Sequence, residues 1–155
     1  MVKFVSEILS YAIIILIGII TATLALQILF PLIEKNLNSI AIQEAINNFK
    51  KLEKSILEVY SESVGSKRYL NLKFSRGNFY LVDNSIVYIL QSKNLPFDDF
   101  SKKENFLLIK KDGEIFMINL TLDIVGIEGN LRLTPGNYGI CILKDNSSSI
   151  KIYTC

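Results

Sequence analysis

Hydrophobic and polar positions divide the chain into three stretches with different periods. From Ile8 to Ile33 no side chain is charged, a run of 26 residues bounded by Glu7 and Glu34. As a helix this run would be about 39 Å long, more than the roughly 30 Å hydrocarbon core of a bilayer. A secretory signal has a shorter apolar core, about 7–15 residues, with a small-residue cleavage site behind it. Here Thr21-Ala22-Thr23-Leu24-Ala25 lies inside the run instead. Apolar residues occupy nearly every angular position, which argues against a helix lying flat in the interface. The run therefore predicts a helix that spans a membrane or is buried in a filament. Pro31 falls near its end, where a kink is tolerated.

From Leu37 to Val64 the pattern becomes one-sided. Ile42, Ala45, Phe49, Leu52, Ile56 and Val59 are spaced 3, 4, 3, 4, 3, one stripe of an amphipathic helix. Lys50, Lys51, Glu53, Lys54 and Glu58 fall on the other faces and read as solvated surface. No strong breaker intervenes between Glu34 and Val64, and Gly65 is a C-terminal cap for one continuous helix. The stripe has too few heptads for a coiled coil and is expected to pack on its own domain.

After Gly65 the period falls to two. Leu70, Leu72 and Phe74 share a face, as do Phe79 and Leu81, and Ile86, Tyr88 and Leu90. Arg76-Gly77-Asn78, Asp83-Asn84, Lys111-Asp112-Gly113, Pro135-Gly136 and Asp145 to Ser149 supply turns. About seven or eight short strands follow at the spacing of a sandwich or barrel. "QSKNLPFDDFSKKEN" is expected to be one long loop, whose Phe97 and Phe100 either tuck under the sheet or meet a partner. The fold class is thus α+β, a long N-terminal helix followed by a small antiparallel β-sandwich or barrel. Three regions result: a hydrophobic helix over 1–34, an amphipathic extension over 35–65, and a β domain over 66–155.

Composition narrows the chemistry. The net charge of +2 with interspersed signs leaves no electrostatic footprint for nucleic acid. Histidine is absent, which removes the commonest general base and a common metal ligand. Asp98-Asp99, and Asp123 with Glu128, are the only candidate acids, and no partner base or nucleophile accompanies them. Ser147 to Ser149 has no histidine to activate it, and no glycine-rich phosphate loop exists. Lys67-Arg68 is expected to complement the helix dipole. No catalytic, cofactor or metal site, and no small-molecule substrate, can be read from this sequence.

Two features concern location. If Asp145 to Ser149 forms a turn, Lys144 faces Ile150 and Cys141 faces Tyr153, which brings Cys155 diagonally within disulfide range. A bond is expected in an oxidising compartment, the alternative being a buried free Cys141 and a loose terminal Cys155. Asn119-Leu120-Thr121 and Asn146-Ser147-Ser148 are N-glycosylation sequons, the first in a strand and the second in an accessible turn. With Lys3 and the amino terminus ahead of the run, they argue for an N-terminus on the cytoplasmic side and an extracytoplasmic body.

A hydrophobic helix running into an amphipathic half and then a compact β domain resembles the type IV pilin and archaellin-like superfamily. "GSKRYLNLKFSRGNFYLVDNSIVYI" and "LRLTPGNYGICILK" are similar to the β domains of archaeal pilin-like proteins, and archaellum accessory proteins anchored by one helix share the plan. The resemblance implies a filament subunit or minor pilin whose helices pack into a central bundle with β domains outside. Its partners would be membrane lipid and copies of itself or related subunits, held through Ile8 to Ile33, with Ile42 to Val59 as the junction to the body. Helix–helix assembly is expected on Ile14, Ile17, Gly18, Thr21, Ala25 and Phe30. The resemblance also implies a prepilin leader cut just ahead of the run. No Lys-Gly or Arg-Gly/Ala pair stands there, and Lys3 before Phe4, with Glu7 following, is the nearest counterpart. The alternative is a monomeric membrane-anchored binding module of a motility, secretion or envelope complex.

Overall fold

The computed structural model describes residues 2–82, 84–122 and 126–155. Helix α1 (Val2–Ser61) runs 60 residues without a break and passes through Pro31. That proline removes one hydrogen bond to the carbonyl of Gln27, a loss the flanking turns carry. The helix is long and apolar enough to cross a membrane near the N-terminus, and the membrane-length window within it is wholly unburied.

The second half of α1 behaves differently because its stripe meets the β body. Ala41, Ile42, Ala45, Phe49, Leu52, Ile56 and Val59 are all buried. Each large apolar side chain taken out of water this way stabilises by about 1.5–3 kcal/mol. Phe49 packs edge-on against Phe79 at 5.8 Å, and Phe79 leads through Phe74 to Tyr88. The stripe therefore packs on its own domain, as its spacing predicts. Glu53 is a correction, since it is buried rather than solvated. Lys54 and Glu58 do pair at 3.8 Å on the surface.

Ten strands follow among the described residues. They are β1 (Lys67–Phe74), β2 (Asn78–Val82), β3 (Ser85–Gln91), β4 (Phe100–Glu104), β5 (Leu107–Asp112), β6 (Ile115–Thr121), β7 (Gly126–Glu128), β8 (Leu131–Leu133), β9 (Gly136–Lys144) and β10 (Ser149–Thr154). One sheet has the order β1-β9-β10-β7 and the other β4-β5-β6-β3-β2-β8. The strands beyond those expected are short. β4 occupies the end of the stretch read as a loop, and β7 has three residues; β8, equally short, is the strand expected ahead of the Pro135-Gly136 turn. β4 and β7 are selected by a neighbour's free backbone edge rather than by alternation. The pairing is also not wholly antiparallel, because β7 enters the first sheet parallel to β10. The Gly126 N–H donates to the Ser148 carbonyl at that edge, and the Ile127 N–H to Asn84 Oδ1 between β2 and β3, which ties β7 to the other sheet as well.

Helix α1 ends at Ser61, short of the expected Val64. Lys144 Nζ donates to the carbonyls of Tyr60 and Glu62 at 2.5 and 2.6 Å, satisfying the end of the helix from strand β9. The expected dipole partners do other work. Arg68 pairs with Glu62 at 2.5 Å, and the Lys67 ammonium lies over the Tyr153 ring.

Candidate assembly and anchoring site

A helix turns about 100° per residue. On that wheel Ile14, Ile17, Gly18, Thr21 and Ala25 fall within one face of the stem, while Phe30 lies nearly opposite Ile14. The structure leaves all six exposed, and a Cβ added to Gly18 would meet nothing within 4 Å. Thr21 Oγ1 donates back to the carbonyls of Ile17 and Gly18, and Thr23 Oγ1 to that of Ile19. The hydroxyls are therefore satisfied within the helix and present an apolar outer surface. The expected face thus groups five of the six residues.

Phe30 belongs to a second stripe. Phe30, Ile33, Leu37 and Ile40 follow at spacings of 3, 4 and 3, with exposures of 65, 52, 43 and 62%. This stripe lies roughly 100° around α1 from the buried stripe, flanks the body where Ile40 borders β1, and continues past Glu34, where the charge-free run stops.

On the body side the buried stripe continues downward as polar groups. Glu34, Asn38 and Ile42 are four residues apart. Ser92 Oγ donates to Glu34 Oε1 at 3.0 Å, and Asn94 Nδ2 to Glu34 Oε2 at 2.6 Å. Asn38, fully buried, gives Nδ2 to Ser92 Oγ and to the Asn94 carbonyl, and takes a 2.8 Å bond from the Arg76 guanidinium on Oδ1. Glu44 adds a bond from the Ser75 N–H, and Asn48 donates to the Lys73 carbonyl. Hydrogen bonds from Asn94 and then Ser92 hold the Glu34 carboxyl below its ordinary range. This clamp escaped sequence reading. Its one signal was that Glu34 and Asn38 extend the apolar stripe at the same spacing.

The remaining candidates fall into place individually. Cys141 and Cys155 are joined in a disulfide with Cα atoms 5.6 Å apart, across the register that sets Cys141 opposite Tyr153. The Cys155 N–H donates to the Gly139 carbonyl, so the last residue is tied to the sheet. Asn146 is exposed in the β9–β10 turn. Its Oδ1 accepts the N–H groups of Ser148 and Ser149 and the Ser148 hydroxyl, which leaves Nδ2 unused by the turn. Asn119 instead sits in β6 with Val87 opposite on one side and Leu108 on the other.

Asp99 is an ion-pair partner: its Oδ1 receives Lys111 Nζ at 2.6 Å and the Gly113 N–H at 3.1 Å. The Lys111 bond foremost keeps its carboxyl below the usual range. Asp98 is exposed beside it, Glu128 is exposed at the end of β7, and Asp123 lies outside the described residues. Met1 and the side chains of Lys3 and Glu7, on which the expected leader cut rests, also lie outside them. Among the described residues no group of three or more His, Cys, Asp and Glu side chains could hold a metal ion. An open groove of about 710 Å³ runs between α1 and the edge of β1, lined by Ile40 of the exposed stripe and by Gln43, Asn47, Asn71, Lys73 and Asn137.

No known protein family, curated protein or solved structure matches the chain.

Proposed function

We propose that this protein is a structural, non-enzymatic surface protein of pilin-like design, a filament subunit or minor pilin anchored by its N-terminal helix. The observation that carries the reading is the exposed stripe Phe30, Ile33, Leu37 and Ile40. From Ile8 to Ile40 the helix is about 50 Å long, against the roughly 30 Å a bilayer can cover. Leu37 and Ile40 stand above the hydrocarbon and are left exposed beside the body. Helices of further copies, or of related subunits, cover them at lower free-energy cost than water does. The clamp at Glu34 and Asn38 supports the same reading, since it fixes the body rigidly to one side of the stem. The Cys141–Cys155 disulfide supports an oxidising, extracytoplasmic body. There Asn146 is the glycan acceptor, and Asn119, held between two strands, is not.

The test is the intact mass and N-terminal sequence of the native protein, taken from isolated membranes and from sheared surface material. A terminus near Phe4 in the sheared fraction, with glycan mass on the Asn146 peptide, supports the filament reading. An uncut Met1 confined to membranes overturns assembly in favour of a monomeric anchored binding module. The amide-lined groove beside β1 favours that second reading and would be its binding surface.

A further inference from the structure

The end of the body nearest the stem is closed by residues 92–99, which cross from β3 to β4. Register places both ends of this segment against the β5–β6 turn: Gln91 pairs with Ile115, and Phe100 with Lys111. The Ser92 N–H donates to the Glu114 carbonyl at 2.8 Å, and Asp99 Oδ1 receives the Gly113 N–H. The segment also holds the stem, because Ser92 and Asn94 are the partners of Glu34 and Asn38. Glu34 is the first charged residue after the 26-residue run. Asn94 thus lies within hydrogen-bond distance of the level at which the stem leaves the hydrocarbon.

Phe97 is three residues further on and cannot stand more than about 10 Å from Asn94. Headgroups occupy about 5–8 Å on each side of the hydrocarbon core. Phe97 is 40% exposed yet not loose: its ring packs edge-on against Phe100 at 6.1 Å, and Phe100 rests on Phe116. Ile115 is also exposed at this end. Of the acids nearby, Asp99 is paired with Lys111 and Asp112 with Lys110, while Asp98 and Glu114 are exposed and balance the exposed Lys35 and Lys93, so the contact needs no net charge.

We propose that residues 92–99 are a membrane-surface contact, with the Phe97 ring in the headgroup layer of the bilayer that the stem crosses. The inference rests on the stem spanning a membrane and adds that the body is seated on the lipid rather than held clear of it. An aromatic ring is suited to that layer because its apolar body and quadrupole tolerate the interface better than water or hydrocarbon alone.

The chain has no tryptophan, so each introduced tryptophan is a single reporter. The full chain carrying Phe97→Trp, Ile20→Trp or Val64→Trp would be reconstituted into two sets of phosphatidylcholine vesicles. Acyl chains are brominated close to the glycerol in one, to reach Phe97→Trp, and close to the chain ends in the other, to reach Ile20→Trp at the bilayer centre. Ile20 lies in the stem and Val64 just beyond Ser61, where α1 ends about 40 Å above Glu34. Phe97→Trp is expected to emit to the blue of Val64→Trp and to lose about twofold of its intensity to the brominated lipid. Val64→Trp is expected to be unquenched. Lys93→Trp, on the same segment, reports the same contact should Phe97→Trp not fold. If Ile20→Trp is quenched while Phe97→Trp and Lys93→Trp match Val64→Trp, the inference is overturned and the spanning stem stands. If Ile20→Trp is itself unquenched, the spanning reading fails and takes the inference with it.

Discussion

Gly77 turns the chain between β1 and β2 at a φ of +79°, and a Cβ there would lie 2.6 Å from the Tyr88 ring. Tyr88 cannot retreat, because it is fully buried and donates its hydroxyl to the Arg76 carbonyl at 2.8 Å. Burial accordingly pushes its phenol well above the ordinary tyrosine range. Gly113 has a similar φ of +58° but nothing within 4 Å of an added Cβ. Gly113→Ala is therefore expected to cost about 1 kcal/mol from backbone strain alone, and Gly77→Ala about 2–4 kcal/mol from strain plus overpacking. Urea unfolding of the two variants in detergent checks the difference, and equal costs would mean that Tyr88 moves aside freely. That Gly77 belongs to a turn was legible from its neighbours Arg76 and Asn78. Its contact with Tyr88 was not, since it depends on β2 and β3 folding back over it.

Among the elements, the β9–β10 hairpin was the most legible. Its register sets Lys144 opposite Ile150 and Cys141 opposite Tyr153, as the turn at Asp145 to Ser149 requires. The disulfide closes a separation of 14 residues and anchors the end of the chain. Replacing both cysteines by alanine is expected to lower stability by about 3 kcal/mol, and reductant should then have no further effect on the variant. A wild-type unfolding midpoint unchanged by reductant would show that the hairpin holds without the bond. Helix α1 was legible over its apolar stripe, because burial repeats there every three or four residues. Its end was not, since Lys144, which satisfies the carbonyls of Tyr60 and Glu62, arrives from a strand more than 80 positions away. The same distance effect hid β4 and β7, which have no strong alternation of their own and exist through the edges they join.

For the whole molecule, α1 is at once the stem and a wall of the core. Seven of its apolar residues, from Ala41 to Val59, are buried against the two sheets. A chain of residues 66–155 alone is therefore expected to lose cooperative unfolding and to expose the inward faces of Phe74, Phe79 and Tyr88. Thermal circular dichroism of that fragment, beside the full chain in detergent, is the check. A sharp transition in the fragment would show that the sheets close on each other without the helix.

What the sequence by itself determined were the properties set by neighbours along the chain. A 26-residue run without charge can rest only in an apolar medium, a 3-4-3 stripe must find a covering surface, and period-two alternation makes strands with one buried face. Tertiary structure decided everything that depends on which distant groups meet. It left the stripe from Phe30 to Ile40 uncovered beside the body, closed Ser92, Asn94 and Arg76 around Glu34 and Asn38, and set Phe97 beside the exit of the stem. The reason is physical: local periodicity is a property of backbone geometry over a few residues. A clamp or an interface is a sum of contacts between side chains that only the folded path of the chain brings within bonding distance.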